Sequence, residues 1–201
     1  MYARSTTFGG APSNVDAGIE FVNKEVAPAL DKMEGCRGLS LLVDHETGQC
    51  IATSSWEDED AMRASAEQLR PVREKGRDIL GGDMKVDEWE ITVMHRNQHG
   101  ECCRVSWVQG GDVDALAETF RVGIMPELER LDGFCSASLL VNRSTGMGCA
   151  TTTWESRQAM EASRSAANDM RSRAASDAGG EIVDVHEYDL AYAHLHVPEM
   201  A

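Results

Sequence analysis

Three kinds of residue in this 201-residue chain are suited to chemistry, and each occurs twice, 98 to 100 positions apart. His95 and His194 end the alternating stretches WEITVMH and YDLAYAH, which place both on an apolar strand face with Trp89, Ile91 and Val93 or with Tyr188, Leu190 and Tyr192. Imidazole titrates near neutral pH and can take a proton from a phenolic hydroxyl as a general base. A histidine on such a face can equally be a hydrogen-bonded structural residue. Trp56 and Trp154 close two β-type stretches. An indole there can stack on a flat ligand and donate its N–H, or simply anchor the core. Arg4 and Arg104 lie at matching places in two short strand-like runs. Each can hold a substrate oxyanion or sit in an ion pair on an exposed rim, where most arginines are found. The candidate catalytic residues are therefore His95 and His194, and the candidate ligand-binding residues are Trp56, Trp154, Arg4 and Arg104.

Other chemistries lack their motifs. The chain has no H-E-x-x-H or H-x-x-E-H run, no phosphate loop and no dinucleotide fingerprint, and DHETGQ is too short for a calcium loop. His99, His186 and His196 fall in no ligand pattern. No metal and no cofactor are expected. The six cysteines form no C-x-x-C pair. A turn at Thr47-Gly48 pairs Cys50 near Val43 and leaves Cys36 about 23 Å up the strand, at ~3.3 Å per residue. That is too far for a disulfide, and the same holds for Cys135 and Cys149. All six are read as reduced and mostly buried.

The formal net charge is −15, which repels nucleic acid and anionic membrane surfaces. The arginines between Arg63 and Arg77 and between Arg157 and Arg173 are spaced as solvated helix faces. No run of 18 apolar residues and no signal-peptide stretch is present. The expected setting is the cytoplasm and the expected partner a small-molecule ligand, with no nucleic acid and no membrane.

The elements that must position these residues are also duplicated. An offset of 98 aligns residues 14–65 with 112–163 without a gap, with 21 identities in 52 positions. Trp56-Glu57…Ala61-Met62-x-Ala64-Ser65 recurs as Trp154-Glu155…Ala159-Met160-x-Ala162-Ser163. Each copy opens with a short strand, ARSTTF or RVSWV. An amphipathic helix follows, with apolar spacing 4, 3, 4, 4, 3 from Val15 to Met33 and from Val113 to Leu131. Asn14 and Asp112 stand at the N-cap, Gly35 and Gly133 at the stop, and Pro28 and Pro126 predict a kink or local opening. A hairpin with a glycine turn comes next. A second helix starts after the tryptophan, capped by Asp58 or Ser156, and ends at Gly81-Gly82 or Gly179-Gly180. A last strand completes βαββαβ. The predicted fold class is α+β: two ferredoxin-like repeats, 1–96 and 102–201, joined by a linker at 97–101. One helix-covered sheet per repeat leaves a bare face, so the two sheets are expected to cover each other with a cavity between them. Ser5, Thr7, Ser40, Ser54 and Thr151–Thr153 are candidates to line it.

On Pro28…Gly35, Pro126…Gly133 and the two W-E-x-x-x-A-M frames, the chain resembles the antibiotic biosynthesis monooxygenase-like domains of the dimeric α+β barrel superfamily. The resemblance covers nearly the whole chain as a tandem duplication. It implies a barrel formed within one chain, as a monomeric pseudo-dimer or a further homodimer. It also implies a cofactor-independent monooxygenase acting on a small aromatic or quinone-type molecule in the barrel cavity. The alternative is a non-catalytic small-molecule-binding or stress-related interaction protein of the same fold. Haem-degrading relatives bind iron through a second-helix histidine. Here 58–80 and 156–178 contain none and Ser65 and Ser163 stand at the matching frame positions, which disfavours that chemistry.

Overall fold

The computed structural model describes residues 1–200. The first repeat runs β1 (Tyr2–Gly9), α1 (Val15–Phe21), a π-helical segment (Val22–Val26), α2 (Ala27–Leu30), β2 (Cys36–Val43), β3 (Gln49–Trp56), α3 (Glu59–Leu80) and β4 (Asp83–Arg96). The second runs β5 (Cys102–Gln109), α4 (Val113–Glu118), a π-helical segment (Thr119–Ile124), α5 (Met125–Leu128), β6 (Phe134–Asn142), β7 (Met147–Trp154), α6 (Arg157–Ala162), α7 (Arg164–Ala178) and β8 (Glu181–Leu195). The strands hydrogen-bond in one closed ring, β1-β3-β2-β8-β5-β7-β6-β4. The fold is an α+β barrel built from two ferredoxin-like repeats. No helix among the described residues is long and apolar enough to cross a membrane.

Local chemistry explains the breaks. Pro28 and Pro126 have no N–H to return to the preceding turn. In both repeats the helix answers by widening into a π segment just before the proline, at Val22–Val26 and Thr119–Ile124. The hairpin turns carry Gly48 and Gly146 at positive φ, 80° and 68°, and Val43 pairs with Cys50. All six cysteines are free. Asp58 and Ser156 cap their helices through Ala61 N–H and Ala159 N–H. Asp112 caps α4 through Asp114 and Ala115 N–H. Asn14 occupies the expected place but does not cap; its side-chain amide donates to the Leu80 carbonyl, 3.1 Å away.

By contact the chain divides into Met1–Trp89 with Asp189–Val197, and Glu90–Tyr188 with the residues from Pro198 on. Each last strand is long enough to serve two sheets. The end of β8 pairs with β2, with Leu39 opposite His194 and Leu41 opposite Tyr192. The end of β4 pairs with β6, with Val93 opposite Leu139 and His95 opposite Ala137. The first unit packs Phe8, Val15, Leu30, Leu41, Trp56 and Met62 between sheet and helices. The second packs Leu116, Phe120, Leu139, Trp154, Met160 and Met170 in the same way.

Candidate functional site

The predicted alternation along β4 fails at one residue. The register slips between Ile91, opposite Leu140, and Val93, opposite Leu139. A bulge at Thr92 therefore returns Val93 and His95 to the helix-side core and leaves Ile91 on the other face. β8 slips in the same way, between Leu190 and Tyr192.

His95 is partly buried, with its Nδ1 2.8 Å from Glu199 Oε1. Its Nε2 lies 3.1 Å from Glu129 Oε1, out of line for a hydrogen bond. The ring stacks parallel to Phe134, 6.2 Å between centroids. His194 is exposed, with its Nε2 3.0 Å from that of His196. The two equivalent histidines thus have different surroundings.

The arginines are not on a rim. Arg4 is 3% exposed and Arg104 1%. Arg4 Nε and Nη2 donate to Glu88 Oε1 at 3.1 and 2.7 Å, Nη1 to Ser65 Oγ at 2.9 Å, and Nη2 to the Met62 carbonyl at 2.8 Å. Arg104 repeats the pattern on Glu187, Ser163 and the Met160 carbonyl, at 2.9, 3.0 and 2.7 Å. This explains the duplicated frame. Its Met carbonyl and its Ser hydroxyl, one turn apart on the second helix, form a socket for a buried guanidinium. Its alanine packs against the loop glycine, since a Cβ built on Gly35 or Gly133 would meet Ala61 or Ala159 Cβ at 2.5 Å.

Trp56 and Trp154 are fully buried. Their indole N–H groups donate to Ser54 Oγ at 3.0 Å and to Thr152 Oγ1 at 3.1 Å. Both hydroxyls line cavities. The first cavity lies between the sheet and helices of its unit, with Arg4, Ser54 and Arg73 at the polar end and walls that include Phe8, Phe21 and Leu69. The second has Arg104, Thr152 and Arg171 at its polar end, with walls that include Phe120, Leu139 and Met170. Space open to water centres is about 60 Å³ in the first and about 50 Å³ in the second, room for roughly four or five waters. The sequence placed a ligand between two sheets; these cavities lie on the helix-covered face of each sheet. His95, His194, Trp56 and Trp154 are not among the lining residues of either cavity.

Sequence reasoning missed Arg73 and Arg171. Arg73 Nη2 donates to the Ala66 carbonyl at 3.0 Å. Its Nη1 is buried and has no hydrogen-bond partner among the described residues. Burial, and then the charge of Arg4, pull the Arg73 pKa down. Burial and then Arg104 do the same to Arg171. The signal was available: an arginine stands 17 residues after the tryptophan in both copies.

No family profile matches the chain. The uncharacterized proteins Rv2557 and Rv2558 of Mycobacterium tuberculosis H37Rv are 45% and 43% identical to it over its full length, and the matches span 92% and 87% of those proteins. Among solved structures, a candidate monooxygenase of Lactobacillus acidophilus aligns with TM-score 0.70 at 11% identity, over 97% of this chain and 96% of that one. An anthrone oxidase-like protein aligns with TM-score 0.67 at 15% identity, over 100% and 94%. A ferredoxin-fold protein of Listeria monocytogenes related to antibiotic biosynthesis monooxygenases aligns with TM-score 0.55 at 8% identity, over 94% of each chain. The chain belongs to one family with the mycobacterial proteins Rv2557 and Rv2558, and its fold is that of the antibiotic biosynthesis monooxygenase-like ferredoxin-fold proteins.

Proposed function

We propose that the chain is a cofactor-independent monooxygenase acting on a small aromatic or quinone-type molecule, one in each helix-side cavity. One observation carries the reading: both repeats enclose an apolar cavity that ends at a buried guanidinium and a hydroxyl set by a tryptophan. Apolar walls exclude water and hold a ring. The arginine end stabilises the anion left when the ring carbon loses a proton. That carbanion passes electrons to O₂; one oxygen stays on carbon as a carbonyl, and the other leaves with two hydrogens as water. The cavity walls contain no histidine, so they do not supply the axial imidazole that haem chemistry of this superfamily uses. The six free thiols are in keeping with a cytoplasmic setting.

His95 and His194 remain the candidate bases on sequence grounds. Loss of turnover with retained binding in His95→Ala/His194→Ala assigns them that role; unchanged turnover removes it. A second reading, a non-catalytic binding protein, is favoured by one feature: neither cavity wall includes a carboxylate or imidazole to take the proton. Native mass spectrometry on gently purified protein, followed by O₂ uptake with any retained compound, separates the two. O₂ consumption matched to product supports the monooxygenase. A bound compound that is never turned over supports the carrier.

A further inference from the structure

The polar end of the first cavity carries an unpaired buried donor. Arg4 is matched by Glu88, which takes both its Nε and Nη2. Arg73 also lines the cavity, and its Nη2 donates to the neutral Ala66 carbonyl. A guanidinium does not escape by losing its proton. Glu67, Glu88 and Glu74 act on that charge through space, but Arg73 Nη1 is buried without a hydrogen-bond partner among the described residues. Apart from this end the lining is almost entirely aliphatic and aromatic. In the second cavity Arg104 is likewise matched by Glu187, and Arg171, at the equivalent place, bonds the neutral Asn168 side chain.

We propose that each repeat binds one apolar ligand carrying a single negative charge, a carboxylate or phenolate, with its anionic oxygen on Arg73 in the first cavity and on Arg171 in the second. In the first cavity a neutral carbonyl can also accept from the buried Nη1, but a charged oxygen makes the stronger hydrogen bond to a guanidinium. A phosphate dianion brings a second negative charge, which the apolar walls cannot solvate. The cavity shapes differ while the anchor is kept: Phe8, Gly18 and Leu69 in the first stand where Val108, Leu116 and Ala167 stand in the second. The two sites thus share a headgroup and differ in the body they accept. This rests on the helix-side cavities being the ligand sites.

The test uses the full chain, benzoate and its neutral analogue benzamide, with binding followed by amide shifts of wall residues. In the wild-type chain benzoate is expected to bind about tenfold or more tightly than benzamide, with shifts at Ser54 and Leu69 and at Thr152 and Ala167. Arg73→Met keeps the aliphatic stem. It should abolish the benzoate preference at the first pair and keep it at the second, with unchanged melting temperature; Arg171→Met should do the reverse. In each variant the untouched cavity reports on folding within the same molecule. Equal binding of both probes at the wall residues overturns the anion assignment while the cavities stand as ligand sites. Absence of any shift at those residues with either probe overturns both. A benzoate preference that survives Arg73→Met places the anchor elsewhere and overturns the assignment.

Discussion

At the scale of single residues, the buried arginines organise each repeat. Ser65 accepts from Arg4 and donates to the Met62 carbonyl at 2.7 Å, and Ser163 does the same for Arg104 and Met160. Ser65→Ala or Ser163→Ala leaves a buried guanidinium N–H without its acceptor. Each is expected to destabilise the chain by ~1–3 kcal/mol, measured by urea unfolding. Cys50 is a different case. Burial, with a smaller contribution from Asp44, pushes its thiol up to about 11. At pH 8 only about one molecule in a thousand carries the thiolate, so native-state alkylation at Cys50 should run on the order of 100-fold slower than for a free cysteine. Mass-spectrometric timing of iodoacetamide labelling checks this. The duplication pointed to Arg4, Arg104, Ser65 and Ser163, because residues kept in both copies were visible in the sequence. Their mutual contact was not, since the strand arginine and the helix serine meet only through the tertiary fold, 61 residues apart in the first repeat.

At the scale of elements, the repeats exchange volume across the helix–sheet interface. Gly18 in α1 faces Leu80, whose Cδ2 would lie 2.7 Å from an added Cβ. In the second repeat the equivalent of Gly18 is Leu116, while Ala178 and Gly148 take the places of Leu80 and Cys50. Leu116 Cδ2 lies 2.6 Å from the Cβ that Gly148 lacks. Gly18→Leu alone should overpack and cost ~1–3 kcal/mol. Gly18→Leu with Leu80→Ala and Cys50→Gly should recover most of that loss, because it recreates the second repeat's packing; urea unfolding of the single and triple variants reads the coupling. Much at this scale was legible. Glycine turns, the capping Asp58, Ser156 and Asp112, and helical apolar spacing act locally and leave a local signature. The π segments were foreshadowed by Pro28 and Pro126. The bulges at Thr92 and Ala191 were not, because an extra residue in a strand is defined by its partner's register. Missing them put the two histidines on the wrong face.

At the scale of the whole molecule, the sheet of each unit includes the end of the other repeat's last strand. Cutting the 97–101 connection should therefore not separate the halves. With a protease site built into that segment, the nicked chain is expected to elute as one species in size-exclusion chromatography and to unfold in one transition; two separately eluting fragments would contradict the strand exchange. The same crossing dictates an order of events on the ribosome. The edge of β2 that receives Leu190–Leu195 is synthesised roughly 150 residues before that partner in β8. At 5–20 residues per second the interval is on the order of 10 s. Throughout it the nascent first repeat shows an unpaired β-edge to its neighbours on the same message, and polysome density becomes a determinant of how much protein reaches the native state.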